Sequence, residues 1–173
     1  MGIVDQAVIN FACYEDAKDF LGLASVTLPD VDFITATVSG AGIAGNVEAP
    51  IIGHMNAMTA QLKFRTFSAE SLKLQEPREH NIDLRAPQQV YDPITGGYKT
   101  QSVKHVLVLI PKTLSNGNIA PASPTDGSGS YAVRRWVTYI DGSKAMEIDP
   151  YNYICEINGV DYLSDVRKAL GKS

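Results

Sequence analysis

Cysteine is scarce in this 173-residue chain: Cys13 and Cys155 are the only two. Two cysteines cannot build a disulfide framework, and neither has the spacing of a metal-ligand pair, so both are expected to be free, buried or half-buried thiols in a reducing compartment. Histidine is equally sparse. His54, His80 and His105 have wide, unrelated spacings that match neither a helical nor a two-residue strand metal motif. No apolar run approaches the roughly 18–20 residues of a membrane helix. The first twenty residues carry Asp5, Glu15 and Asp16 and lack a basic start followed by an apolar run, so no signal peptide and no stable membrane anchor are expected. Basic residues do not dominate either. Fifteen Lys and Arg against nineteen Asp and Glu give a net charge of −4, which argues against a dedicated nucleic-acid clamp. That charge does not exclude a protein that surrounds nucleic acid without gripping it.

What is present is a chain that is 45% hydrophobic and long enough for one core without staples. Disorder is excluded by that apolar fraction. Most of the pattern has the two-residue period of strands. Ala24 to Leu28 reads as a short strand stopped by Pro29, and Val31 to Ser39 as a β-branched one. In 57–67, Met58, Ala60, Leu62 and Phe64 form an apolar face against Thr59, Gln61, Lys63 and Arg65. His80 to Tyr91, with Asn81, Asp83 and Arg85 on its polar side, and Tyr98 to Ile110 read as a long hairpin turning at Asp92–Gly97. Strands are also expected over Tyr131 to Ile140, Lys144 to Ile148 and Tyr151 to Ile157, with Asp141-Gly142 as a hairpin turn.

Helix is limited to two places. Ser68 to Gln75 has a capping serine and a proline beyond its stop. Residues 159–170 carry an apolar stripe of Val160, Leu163, Val166 and Leu170 that is expected to dock on the chain's own body. Val4 to Phe11 reads as an arm or a poor strand, and 115–130 as a flexible polar loop. The expected organisation is a single domain, 1–173, of α+β class and mainly β, with an N-terminal arm at 1–20.

Catalytic chemistry is not visible. There is no Gly-x-Ser-x-Gly elbow and no P-loop. Gly40, Gly42 and Gly45 spell Gly-x-Gly-x-x-Gly, but Pro50 and Gly53 follow and no helix starts there to receive a pyrophosphate. Asp161 and Asp165 share a helical face but read as solvated acids in a first turn. Glu147 and Asp149 point to one side of a strand, as a lined surface, a salt-bridge row or an interface. Residue chemistry alone gives a soluble β-rich domain without an active site or cofactor.

The last third adds a signature. Asp141-Gly142, Glu147-Ile-Asp-Pro-Tyr-Asn152, Ile157-Asn-Gly-Val-Asp-Tyr-Leu163 and Leu170-Gly171, taken as a set, resemble the C-terminus of the major tail tube proteins of contractile-tail bacteriophages and of R-type, phage-tail-like bacteriocins. Ser25-Val-Thr-Leu-Pro29 and the glycine-rich 37–45 agree in order. The resemblance implies an antiparallel β-sandwich or barrel-like subunit with a flanking helix. Six subunits would close a ring around a shared β-barrel, and rings would stack into a tube inside a contractile sheath. Baseplate and tail terminator proteins are the further implied partners, with non-sequence-specific passage of DNA through the lumen. Synthesis in the cytoplasm of a bacterial host and assembly into a virion tail or bacteriocin particle follow from the same likeness. Edge-to-edge closure would also remove the exposed edges of long hairpins.

Two polar rows are the lumen candidates: Thr59, Gln61, Lys63 and Arg65, and Asn81, Asp83 and Arg85. Gly40, Gly42, Ile43, Gly45 and Asn46, with the turn glycines Gly96 and Gly97, are the candidates for contacts between rings. A type VI secretion tube shares the ring geometry and stays open as an alternative. A small β-barrel enzyme or ligand-binding domain does too, though it would need convergent polar groups.

Overall fold

The computed structural model describes residues 2–172, and side chains other than those of Asp19 and Phe20. In chain order the elements are β1 (Val4–Val8), β2 (Ala12–Glu15), β3 (Asp19–Leu21), β4 (Leu23–Thr27), β5 (Phe33–Val38), β6 (Val47–Met55), β7 (Met58–Phe64), α1 (Ala69–Lys73), β8 (His80–Arg85), β9 (Gln88–Asp92), β10 (Gly97–Gln101), β11 (Val103–Ser115), β12 (Gly127–Ile140), β13 (Ser143–Asp149), β14 (Ile154–Ile157), β15 (Val160–Asp161) and α2 (Ser164–Ala169). The chain is mainly β with antiparallel pairing throughout, as expected. Among the described residues, no helix is long and apolar enough to cross a membrane.

One large sheet runs β15-β14-β13-β12-β11-β8-β2-β3. Strand β12 organises it. Along its whole length it pairs with β11; on its other edge its first half pairs with β7 and its second half with β13. The change of partner falls at Arg134, where the register with β11 also slips. Strand β4 adds outside β7. The inward residues of these strands form one core: Met58, Ala60, Leu62 and Phe64 from β7, Ile82 and Leu84 from β8, Leu107 and Leu109 from β11, Tyr131, Val133 and Trp136 from β12. Helix α1, capped by Ser68 in a reciprocal pair with Ser71, brings Leu74 onto this core. The buried Tyr131 hydroxyl donates to the Leu74 carbonyl at 3.3 Å. Burial pushes that phenol's pKa up to about 12. Tyr131→Phe is expected to cost about 1 kcal/mol by urea denaturation, since it orphans one buried carbonyl without changing the packing.

Two smaller sheets stand apart: β1-β9-β10 and the hairpin β5-β6. Among the described residues neither shares a ladder with the large sheet. The run 80–110 is nevertheless one long hairpin, as expected: Arg85 stands opposite Lys104 and Gln88 opposite Gln101 in a single register, and the Ala86 N–H donates to the Val103 carbonyl at 2.8 Å between them. The ladder is interrupted only at Pro87, which has no N–H to continue it, so that β8 and β11 belong to the large sheet and β9 and β10 to a small one. Within the N-terminal arm, β1 pairs with β9, and β2 and β3 extend the large sheet beyond β8. Strand β6 lies where the sequence pattern gave no element, because Pro50 and Gly53 disguise it. The polar run 115–130 is partly ladder, with β12 starting at Gly127 between β7 and β11.

The C-terminal helix is shorter than 159–170. Asn158 and Gly159 both take left-handed backbone angles, φ 52° and 82°, in a two-residue turn that sends Val160–Asp161 back along β14. Helix α2 starts only at Ser164. The expected docking of the apolar stripe is correspondingly incomplete. Leu163 is buried, but Val160 and Leu170 are each 53% exposed and Val166 38%.

Candidate assembly surface

Both predicted polar rows lie on the same face of the large sheet, the one turned away from the core. Register places Gln61 and Lys63 of β7 beside Ser130 and Ser128 of β12 on one edge, and beside Thr27 and Ser25 of β4 on the other. On β8, Asn81, Asp83 and Arg85 sit opposite Val108, Val106 and Lys104 of β11, which in turn face Arg135, Val137 and Tyr139 of β12.

The two rows differ in chemistry. Around β7 the surface is hydroxyl- and amide-rich, and its charges, Lys63 and Arg65, are both basic; Lys112 reaches the same face and donates to Thr59 Oγ1 at 3.2 Å. The β8 row is internally neutralised. Asp83 is nearly buried, held by Arg85 at 3.1 Å and Lys104 at 3.6 Å, and those two cations stack on Tyr14 and Tyr139. The ladder continues into β13, where Glu147 is gripped by Arg135 and Lys144, both at 2.8 Å, and Lys144 also reaches Glu156 at 3.1 Å. Burial pushes the Glu147 carboxyl up, but its Lys144 and Arg135 partners outweigh this and hold it below the ordinary value. Of the three readings left open for Glu147 and Asp149, the geometry selects the salt-bridge row.

The loop residues cluster less. Gly40, Gly42, Ile43, Gly45 and Asn46 form the exposed tip of β5-β6, while Gly96 and Gly97 lie at the tip of β9-β10. They belong to two separate small sheets, both flanked by exposed apolar residues: Val38, Ile43, Val47, Ile51 and Ile52 on one, Ile94 and Tyr98 on the other. A two-stranded hairpin is marginal in isolation, and apolar exposure on this scale marks a contact surface.

The C-terminal signature residues act structurally. Asp149 accepts from the Asn152 side chain at 2.6 Å and closes the turn after β13. Asp161 is on β15 rather than on a helix with Asp165. It accepts from Arg167 at 2.6 Å and from the Leu163 backbone at 3.1 Å, and Arg167 also donates to the Tyr153 carbonyl at 2.6 Å. The Arg167 guanidinium holds the Asp161 carboxyl below its usual range. Asp161→Ala is expected to cost about 1–2 kcal/mol in thermal unfolding and to fray α2, because it frees both donors.

One cluster escaped the sequence reading. Glu15 is fully buried, and its carboxylate meets His80 Nδ1 at 2.7 Å, Arg78 at 3.0 Å and Lys73 at 3.6 Å. The other ring nitrogen of His80 lies 2.9 Å from the Glu76 carbonyl. This network pins the N-terminal strand β2 to α1 and β8. Nothing local in the sequence announces it, since Glu15 and His80 are 65 positions apart. Both cysteines are buried and free, and burial, with help from Asp83 and Glu15, pushes the Cys13 thiol up to about 12. Among the described residues, no group of His, Cys, Asp and Glu is placed to hold a metal ion.

The fold is an antiparallel β subunit whose small hairpins carry exposed apolar residues and whose charges on β8, β12 and β13 are held in ion pairs. The chain belongs to the phage tail tube protein FII family, whose model matches residues 5–171. It is a tail tube structural protein and not an enzyme. A search of curated proteins returned no match. Among solved structures, the sheath/tube terminator of the extracellular contractile injection system PVC, in the extended state, is similar with TM-score 0.55 and 12% identity over 76% of this chain and 94% of that one. A chain of the PVC sheath-tube complex follows at 0.51 and 11%, covering 75% and 88%. A chain of the anti-feeding prophage's tube-terminating cap is at 0.50 and 14%, covering 75% and 87%. At these identities the likeness is one of fold.

Proposed function

We propose that this chain is the repeating subunit of the inner tube of a contractile tail, closing into six-membered rings that stack into a hollow filament. The family match over 5–171 is the observation that carries this reading. Physical reasons support it. The sheets end in open edges at β15, β4, β1 and β10, and such edges are hazards in a monomer. Head-to-tail pairing that closes by rotation removes them within a ring, and repetition along the axis gives a filament. A sheath around the tube and a terminator at its end fit the assemblies named in the similar structures; a baseplate at the other end completes the same reading.

The lumen assignment is the face carrying Thr59, Gln61, Lys63 and Arg65 together with Asn81, Asp83 and Arg85. On its β8 side the charge is paired, Asp83 with Arg85 and Lys104, so the cations open to a passing polyanion are confined to the β7 side and drag is limited. The tips at 40–46 and 96–97 make contacts between successive rings. The particle delivers DNA or, as a bacteriocin, kills by penetration. Cryo-electron microscopy of the polymer tests the lumen assignment: Lys63 and Arg65 are expected on the inner wall. Finding them on the outer wall against the sheath would overturn it.

A further inference from the structure

The geometry points to the C-terminal segment as a clasp that sets the angle of the β5-β6 hairpin, with Leu163 as the positioning residue. Because the hairpin's direction matters only if it reaches a neighbouring subunit, the consequence for assembly rests on the tube reading.

The hairpin is bent at one place. Phe33 pairs with Met55, and Thr35 pairs with Pro50, so four residues of β6, Ile51 to His54, stand opposite Ile34 alone. A bulge of this kind redirects everything beyond it. Below the bulge the hairpin is anchored: Met55 packs on the core, and Asn56 binds Asp32 through backbone and side chain, both at 2.8 Å. Beyond the bulge, Val47 to Pro50 pair with β5 and with no strand of the large sheet.

Leu163 fills the bulge. Gly53 has φ +63° in the middle of the bulged stretch, and a Cβ there would lie 2.5 Å from Leu163 Cγ and 2.6 Å from Cδ2. The absence of a side chain at Gly53 is therefore a seat for Leu163, and only glycine combines that angle with that approach. Leu163 itself is fixed by the signature. Its N–H is held by Asp161, Asp161 by Arg167, and Arg167 by the Tyr153 carbonyl. The Asn158-Gly159 turn places that whole unit. Two apolar grooves border β6 at Pro50–Gly53, one of about 640 Å³ reaching Met55, Tyr153, Leu163 and Val166, the other of about 330 Å³ reaching Phe33, Cys155 and Tyr162. Beyond its anchor at Met55 and Asn56, the hairpin thus meets the Leu163 knob with open space beside it, as a settable limb would.

Gly53→Ala and Gly53→Ala/Leu163→Ala test this. Two readings are taken: labelling of Cys155 in the monomer by a thiol reagent, with Cys155 as the only cysteine in a Cys13→Ser background, and the protein concentration needed for polymerisation. Gly53→Ala is expected to keep the wild-type far-ultraviolet circular dichroism, to raise Cys155 labelling by about tenfold as overpacking opens the hairpin, and to abolish tubes. Removing the knob in the double variant is expected to return part of the assembly. Wild-type labelling in Gly53→Ala, or tubes at the wild-type concentration, would overturn the clasp. Ile82→Val, a core change on β8 away from both the hairpin and Cys155, controls for lost stability and is expected to leave both readings unchanged. If the wild-type chain forms no tubes, the assembly reading fails, while the monomer labelling still decides the clasp.

Discussion

Replacing Glu15 by alanine is expected to lower the unfolding free energy by about 3–5 kcal/mol, the usual result of removing one partner of a buried ionic cluster. Arg78 and Lys73 are about 40% exposed and can turn to water, but His80 is fully buried and would lose its Nδ1 partner. For a chain of this length the loss corresponds to roughly 10 °C in melting temperature. The same residue predicts acid sensitivity. Burial alone pushes the Glu15 carboxyl up; the hydrogen bond and field of His80, then those of Arg78 and Lys73, outweigh it and hold the group below its ordinary 4.5. A carboxyl depressed in the folded state contributes stability that is fully present above its unfolded value and is lost as pH falls through its folded value. Glu147 and Asp161 are depressed too, and burial holds His105 below its ordinary 6.5, so melting temperature should be flat from about pH 7 to 8, decline gently below about pH 6.5 as His105 contributes, and fall steeply below about pH 5 as the carboxylates do. Glu15→Gln should show a shallower fall over that acidic range. An equally steep fall would mean that Glu15 is not the main acid-labile group.

Deleting residues 40–45 is expected to leave the subunit folded and to raise the concentration needed for tubes by on the order of 100-fold, as loss of a contact hot spot does. The fold should survive because Val38 pairs with Val47 at the hairpin's end. The deletion leaves Ser39 and Asn46 as a two-residue connection, a common hairpin length. No core residue lies in the deleted stretch. Sedimentation of polymerised protein measures the effect; pelleting at the wild-type concentration would remove the glycine-rich tip from the ring contacts.

How much of this was legible in the sequence depended on distance along the chain. Strand β7 was readable because one face is buried against the core and the other is not, giving a strict alternation from Met58 to Phe64. The β12-β13 hairpin was readable from Asp141-Gly142, and α1 from Ser68. Strand β6 was hidden because its bulge uses the residues, Pro50 and Gly53, that ordinarily mark the end of a strand. The C-terminal helix was overread because Val160 and Leu163 have helical spacing, yet Asn158-Gly159 turns the chain before the helix begins. The two polar rows were each visible, but that they share a face depends on the registers of β4, β7, β8, β11 and β12, which no local pattern encodes. The Glu15 cluster was unreadable for the same reason.

The acidic composition takes its meaning from this geometry. Most charges on the β8, β11, β12 and β13 part of the outer face are paired, and in the proposed tube the −4 of one chain would be multiplied along the polymer. The central claim is that the chain is a tube subunit, and electron microscopy of the purified full-length protein at high concentration tests it most directly. The account predicts hollow filaments of uniform width, resolving into stacked six-membered rings with the strands continuous from one subunit to the next. A protein that stays monomeric at every concentration, or that forms filaments whose subunits do not join sheet to sheet, would contradict it.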